Sequence, residues 1–175
     1  AGPGNVSTVF IHEKQIKKKP FRLSAWWGHK LKNRFVLQDK FEPIHTAEGW
    51  QLSNAPVLGM SVYRNSIELF DEIGMPKLIA KRNRLTAYLE SAIKEYNKLK
   101  STNNFKIITP GKPEERGSQL SVFIENNGEY IYDYLKSNGV FLDWREPNVM
   151  RMAPVPLYNS FQDVAKFYNT LIKCI

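Results

Sequence analysis

Downstream of Pro76 the apolar residues Leu78, Leu85, Leu89, Ile93 and Tyr96 recur at intervals of three, four or seven, with Arg82 on the same row. Lys77, Lys81, Glu90, Lys94 and Lys98 fall outside that row. The pattern predicts an amphipathic helix reaching about Leu99, with Pro76 suited to its first turn. A helix this long must bury its stripe against a layer made elsewhere in the chain, which limits the folds available. Residues 56–73 predict a second helix through Leu58, Val62, Leu69, Phe70 and Ile73, with Pro56 in its first turn. Gly74 stops it where a left-handed cap is usual. Both helices read as scaffold.

The last third supplies the layer. Residues 105–109 and 119–125 read as strands flanking the loop P-G-K-P-E-E-R-G-S. Residues 128–138 predict a helix closed by Gly139, and residues 140–142 and 149–152 read as further short strands. Ser160 with Asp163 has the S-x-x-D form of a capping box, followed by Val164, Phe167, Leu171 and Ile172. Mixed strands with helices on one side predict a small α+β layer domain, with its boundary near Ser101. Upstream, residues 6–12 predict a strand from their β-branched and aromatic content, and residues 41–54 a loop.

A hydrophobic fraction of 42% fits a folded protein. No stretch approaches the roughly 20 apolar residues of a membrane span. The lone Cys174 excludes an internal disulfide, and no Cys/His cluster has zinc-ligand spacing, so no metal is expected. Cys174 sits among Leu171 and Ile175 and reads as unreactive. The net charge of +8, with Lys14, Lys17, Lys18 and Lys19 clustered before Pro20, fits a solvated basic face or a nucleic-acid-binding domain. No RNA-recognition, KH or zinc-finger signature accompanies it.

Chemistry centres on a few polar residues in apolar surroundings. Arg151 lies in the strand segment M-R-M-A-P-V-P-L-Y-N-S-F, residues 150–161. A cation there needs an anion, either a neighbouring Asp or Glu or the carboxylate of a substrate held by the planar guanidinium. Trp26 and Trp27 beside Gly28 and His29 are packing residues or, through an indole N–H that donates without adding charge, phosphate ligands. Ser53 and Asn54 before Pro56 form a turn signal. Arg116 in E-E-R-G is expected to pair with Glu114, Glu115 or backbone. His29 reads as structural or solvated, with a role at the substrate end as the alternative. Tyr158 and Asn159 neighbour Arg151 in sequence.

Four blocks occur in order along the chain: A-W-W-G-H-K-L-K-N-R-F (25–35), G-W-Q-L-S-N-A-P (49–56), E-E-R-G-S-Q-L (114–120) and the segment 150–161. Together they resemble the kynureninases, pyridoxal-phosphate enzymes that split kynurenine into anthranilate and alanine. The resemblance implies the C-terminal part of an aminotransferase-like, fold-type-I enzyme. Residues 1–100 would end the large cofactor-binding domain and include a bridging helix, and 101–175 would form the small α+β domain. It implies that Trp26, Ser53 and Asn54 lie at the phosphate of pyridoxal 5'-phosphate, across the interface of a cytoplasmic homodimer. It also implies that Arg151 binds the substrate α-carboxylate. The Schiff-base lysine of the family lies in a motif whose tail the opening Ala1-Gly2-Pro3-Gly4 resembles, so no catalytic residue is expected within this chain and the isolated chain is expected to be inactive. A cysteine-desulfurase-like enzyme is the alternative within the fold. Retention of both the tryptophan block and the R-M-A-P-V-P-L-Y-N-S-F ending argues against it.

Overall fold

The stripe downstream of Pro76 forms one continuous helix in a computed structural model, which describes residues 7–36 and 38–174. Val6, Ile175 and the opening Ala1-Gly2-Pro3-Gly4 lie outside the described residues. The helices are α1 (Glu13–Lys17), α2 (Val57–Ile73), α3 (Met75–Leu99), α4 (Gly128–Ser137) and α5 (Phe161–Leu171). The strands are β1 (Phe105–Ile107), β2 (Leu120–Ile124), β3 (Asp143–Arg145) and β4 (Val149–Met152). The chain divides into two units, residues 1–70 and 71–175.

In the unit 71–175 the strands form one antiparallel sheet in the order β1-β2-β4-β3. Alternation assigns its two faces. Leu120, Val122 and Ile124 of β2 and Met150 and Met152 of β4 are buried, and they pack with Leu85, Leu89, Ile93 and Tyr96 of α3. Ile131 and Leu135 of α4 and Val164, Phe167 and Leu171 of α5 complete the same core. Each such side chain contributes about 1.5–3 kcal/mol by leaving water. Ser121, Phe123, Val149, Arg151, Asp143 and Arg145 fall on the opposite face by register. The fold is therefore α+β, with its helices packed on one side of the sheet.

Local signals set the ends of these elements. Gly74 takes φ +83°, a conformation that a Cβ disfavours, and Pro76 opens α3. Gly139 takes φ +74° after α4. Both arms of the Ser160/Asp163 capping box are formed at α5. Arg84 lies 5.3 Å from the Phe161 ring, and Tyr88 packs on the same ring, tying α3 to the start of α5.

The structure departs from the sequence expectation in three places and adds one short helix. Residues 7–12 form no strand: Val9 and Phe10 are exposed, and no ladder partner occurs among the described residues. β-branched residues favour extension, but a strand also requires a neighbour. The lysine-rich segment that follows contains α1, capped by His12 Nδ1 accepting from Lys14 N at 3.1 Å. Strand β1 stops at Ile107, and the Thr109 hydroxyl accepts from Ser121 N at 2.7 Å in place of a ladder bond. Finally, the strand expected at 140–142 lies at Asp143–Arg145 instead. Its hairpin register pairs Arg145 with Val149 and Asp143 with Arg151, and extending that ladder would meet Pro154, which has no N–H.

Candidate functional site

The tryptophan block lies in the unit 1–70 as a 3₁₀ turn, Trp26–Gly28, packed against a second one, Ala47–Trp50. Glycine makes this approach possible. A Cβ on Gly28 would stand 2.4 Å from Gly49 O, and one on Gly49 would stand 2.1 Å from Ile44 O. Ile44 N donates to Gly28 O at 2.9 Å, and Lys30 N donates to Glu42 O at 2.9 Å. These backbone contacts fix the turn that carries Trp26 against the segment that leads into Ser53 and Asn54.

Around this knot the aromatic residues stack. The rings of Trp26 and Trp27 meet edge-on at 4.9 Å, and the Arg34 guanidinium lies 4.3 Å from the Trp27 ring. His29 is half-buried, meets the Phe41 ring edge-on at 4.8 Å and accepts from Glu42 N at 3.4 Å. Its geometry is that of a structural histidine. Trp26 is 40% exposed, and Ser53 and Asn54 are exposed. Among the described residues the side chains of Trp26, Ser53 and Asn54 make no hydrogen bond. An indole N–H, a hydroxyl and an amide NH₂ are therefore uncommitted neutral donors, each of a type that can serve a phosphate oxygen.

Arg151 lies in the other unit, at the middle of the sheet. Its neighbours along β4, Met150 and Met152, point into the core, which turns Arg151 to the opposite face. Asp143 stands directly across from it on β3. Arg151 Nε donates to Asp143 Oδ2 at 2.5 Å, and Arg151 Nη2 donates to the same oxygen. Arg145 Nε donates to it as well, at 3.2 Å. The guanidinium thus uses its side edge on Asp143, and its terminal edge, Nη1 with the second N–H of Nη2, has no partner among the described residues. Arg151 is one-third exposed.

Arg116 pairs with Glu90 of α3 at 2.7 Å, with a side chain only 5% exposed, and donates to Pro110 O at 3.3 Å. The backbone contact matches the sequence expectation, whereas Glu90 replaces Glu114 and Glu115 as its carboxylate. Hydrogen bonds from Lys94 and then Arg116 outweigh burial and hold Glu90 below the usual carboxylate range. Asn159 Oδ1 accepts from Val155 N at 2.8 Å, and Tyr158 is exposed. Burial raises the pKa of Cys174, consistent with an unreactive thiol.

Asp143 was not among the residues singled out from the sequence. The spacing D-W-R-E-P-N-V-M-R carries the signal, since a tight turn at Glu146–Asn148 sets Asp143 opposite Arg151. A strand placed at 140–142 hides it.

A family profile described as "Kynureninase C-terminal domain" matches residues 78–171, from α3 to the end of α5. The whole chain aligns at 50% identity with a kynureninase of Flavobacterium johnsoniae, covering 41% of that protein. A kynureninase of Christiangramia forsetii is 48% identical over the whole chain and 41% of its own length. One of Xanthomonas campestris is 45% identical over 94% of this chain and 38% of that protein. The chain spans about two-fifths of the length of the curated relatives it matches. With more than half of its residues inside the matched domain, the chain belongs to the kynureninase family.

Proposed function

We propose that these residues are the C-terminal portion of a kynureninase, a hydrolase that cleaves L-kynurenine or 3-hydroxykynurenine to anthranilate or 3-hydroxyanthranilate and L-alanine. The single observation that carries the reading is the uncommitted terminal edge of Arg151. Two parallel N–H groups on a sheet face turned away from the core suit one carboxylate in bidentate contact. Kynurenine presents such a group at its α-carbon. Holding it there orients the Cα–H and Cβ–Cγ bonds for the chemical steps.

Trp26, Ser53 and Asn54 hold the cofactor phosphate in this reading. When bound, pyridoxal 5'-phosphate supplies the electron sink for carbanion chemistry at Cα. The three donors are neutral, so they orient the phosphate while cations elsewhere balance its charge. We assign their phosphate to the neighbouring protomer of a cytoplasmic homodimer with shared sites. The exposed apolar side chains of the same unit, Phe10, Phe21 and Leu58 among them, support a partner surface there. Residues 1–100 are read as the end of the large domain and 101–175 as the small domain, with α3 bridging them. The family's lysine motif does not occur within these 175 residues. In this reading the proton transfers at Cα depend on residues outside them, and the isolated chain is inactive.

The test is release of anthranilate from L-kynurenine by the protein that contains these residues, with cysteine as the competing substrate. Anthranilate release is expected. Sulfur release from cysteine without anthranilate would assign the protein to the desulfurase-like group instead.

A further inference from the structure

The Asp143–Arg151 pair needs an explanation that stability does not provide. Asp143 is 46% exposed and Arg151 33% exposed, and ion pairs this wet contribute about 0–1 kcal/mol. The geometry is nevertheless specific. One carboxylate oxygen receives both side-edge donors of Arg151 and the Nε of Arg145. The cross-strand register places the two backbones directly opposite, and buried Met150 and Met152 lock β4 on both sides of the arginine. An arginine side chain has several soft torsions, so an unpaired one samples many directions. Here one edge is fixed and the other is left open.

We infer that Asp143 is the positioning residue of the carboxylate site: it clamps the side edge of Arg151 so that the terminal edge faces an incoming substrate carboxylate. The inference rests on the reading of Arg151 given above. Two guanidinium charges against one carboxylate leave the Arg145–Asp143–Arg151 cluster with a single positive charge. That excess matches a monoanion, so the cluster selects substrates with one carboxylate at this position. Asp143 touches neither the substrate nor the reacting atoms and acts only through Arg151.

The experiment uses the full-length, cofactor-loaded enzyme and two unreactive probes in calorimetric titrations. The first, 4-(2-aminophenyl)-4-oxobutanoate, keeps the α-carboxylate and aryl amine of kynurenine and lacks its α-amine. The second, 2'-aminopropiophenone, lacks both the α-carboxylate and the α-amine. Wild type is expected to bind the acid more tightly than the ketone. Asp143→Asn should weaken the acid about tenfold, equivalent to about 1.4 kcal/mol, and leave the ketone unchanged. Asp143→Glu, which restores the charge, should recover most of the lost affinity. It also covers the case in which the Asn variant folds poorly. Arg151→Ala should abolish the preference for the acid. If Arg151→Ala abolishes the preference but Asp143→Asn binds the acid as well as wild type or better, the positioning role is overturned and the Arg151 reading stands. Equal weakening of acid and ketone by Asp143→Asn, with no recovery in Asp143→Glu, also overturns it. A preference that survives Arg151→Ala overturns the carboxylate reading itself.

Discussion

The two units keep their order by different means. In residues 71–175 a shared apolar core joins three helices to one face of a sheet, with Leu85, Ile93, Leu120, Ile131 and Leu135 fully buried. In residues 7–70 the only buried residues among those described are Gly28 and Gly49, while Phe21 is 92% exposed and Leu58 85% exposed. That unit is organised by close backbone approaches and by rings stacked on rings and guanidinium groups. Arg151 inherits its position from a core, and Trp26 from a knot of glycine backbone. Methyl groups are therefore critical in one unit by their removal, and in the other by their addition.

The largest effect that sharpens this contrast is a cavity in the core. Leu120→Ala should destabilise the unit 71–175 by about 2–5 kcal/mol in denaturant unfolding. Val62→Ala, on a helix with no buried residue, should stay within about 0.5 kcal/mol. Equal losses at the two positions would break the distinction.

The next effect comes from an added methyl. Gly28→Ala drives a Cβ onto Gly49 O, a backbone atom that cannot swing away as a side chain would. A local cost of about 1–3 kcal/mol is expected. It should appear as altered near-UV signals from Trp26 and Trp27, with the unfolding midpoint of the other unit unchanged. Unaltered tryptophan signals would show that the glycine contact does not set this turn.

Capping gives a smaller change within the core-bearing unit. Ser160→Ala removes the acceptor for Asp163 N and should cost about 1 kcal/mol in the same unfolding experiment. Its location at the start of α5 leaves the glycine knot untouched, so tryptophan signals from Trp26 and Trp27 should not respond.

The same contrast explains what was legible in the sequence. Elements with a periodic stripe could be read within a residue or two: α3, α4, α5, β2 and β4 bury theirs, and α2 carries the same apolar period although none of its residues is buried. The strand expected in residues 6–12 failed because a strand is completed by a partner, which local composition does not encode. The third strand was displaced to Asp143–Arg145 because hairpin register, and not hydrophobicity at Val140–Leu142, fixes its position. At the candidate site, Arg151 stood out as a charge in an apolar strand. Its anion did not, because the pairing is cross-strand. Arg116 and Glu90 are 26 residues apart and meet only once the loop folds onto α3, so local sequence points to the nearby glutamates or backbone, of which the backbone contact to Pro110 O forms.

That last pair provides the most delicate test of the core-bearing unit, through pH. Glu90 is held below the usual carboxylate range by hydrogen bonds from Lys94 and Arg116, which outweigh the opposing effect of burial. A carboxylate with a depressed folded-state pKa binds fewer protons folded than unfolded. Its stabilisation is fully present above the unfolded value, near pH 4.5, and is lost as pH falls through the lower folded value. Glu90→Gln removes the titration while keeping the shape. At pH 7 wild type should be the more stable of the two, and below about pH 4.5 the difference should shrink. Stability curves that run parallel from pH 7 to pH 3 would show that Glu90 gains nothing from its two cations, leaving the loop that carries Arg116 to be held to α3 by its remaining contacts.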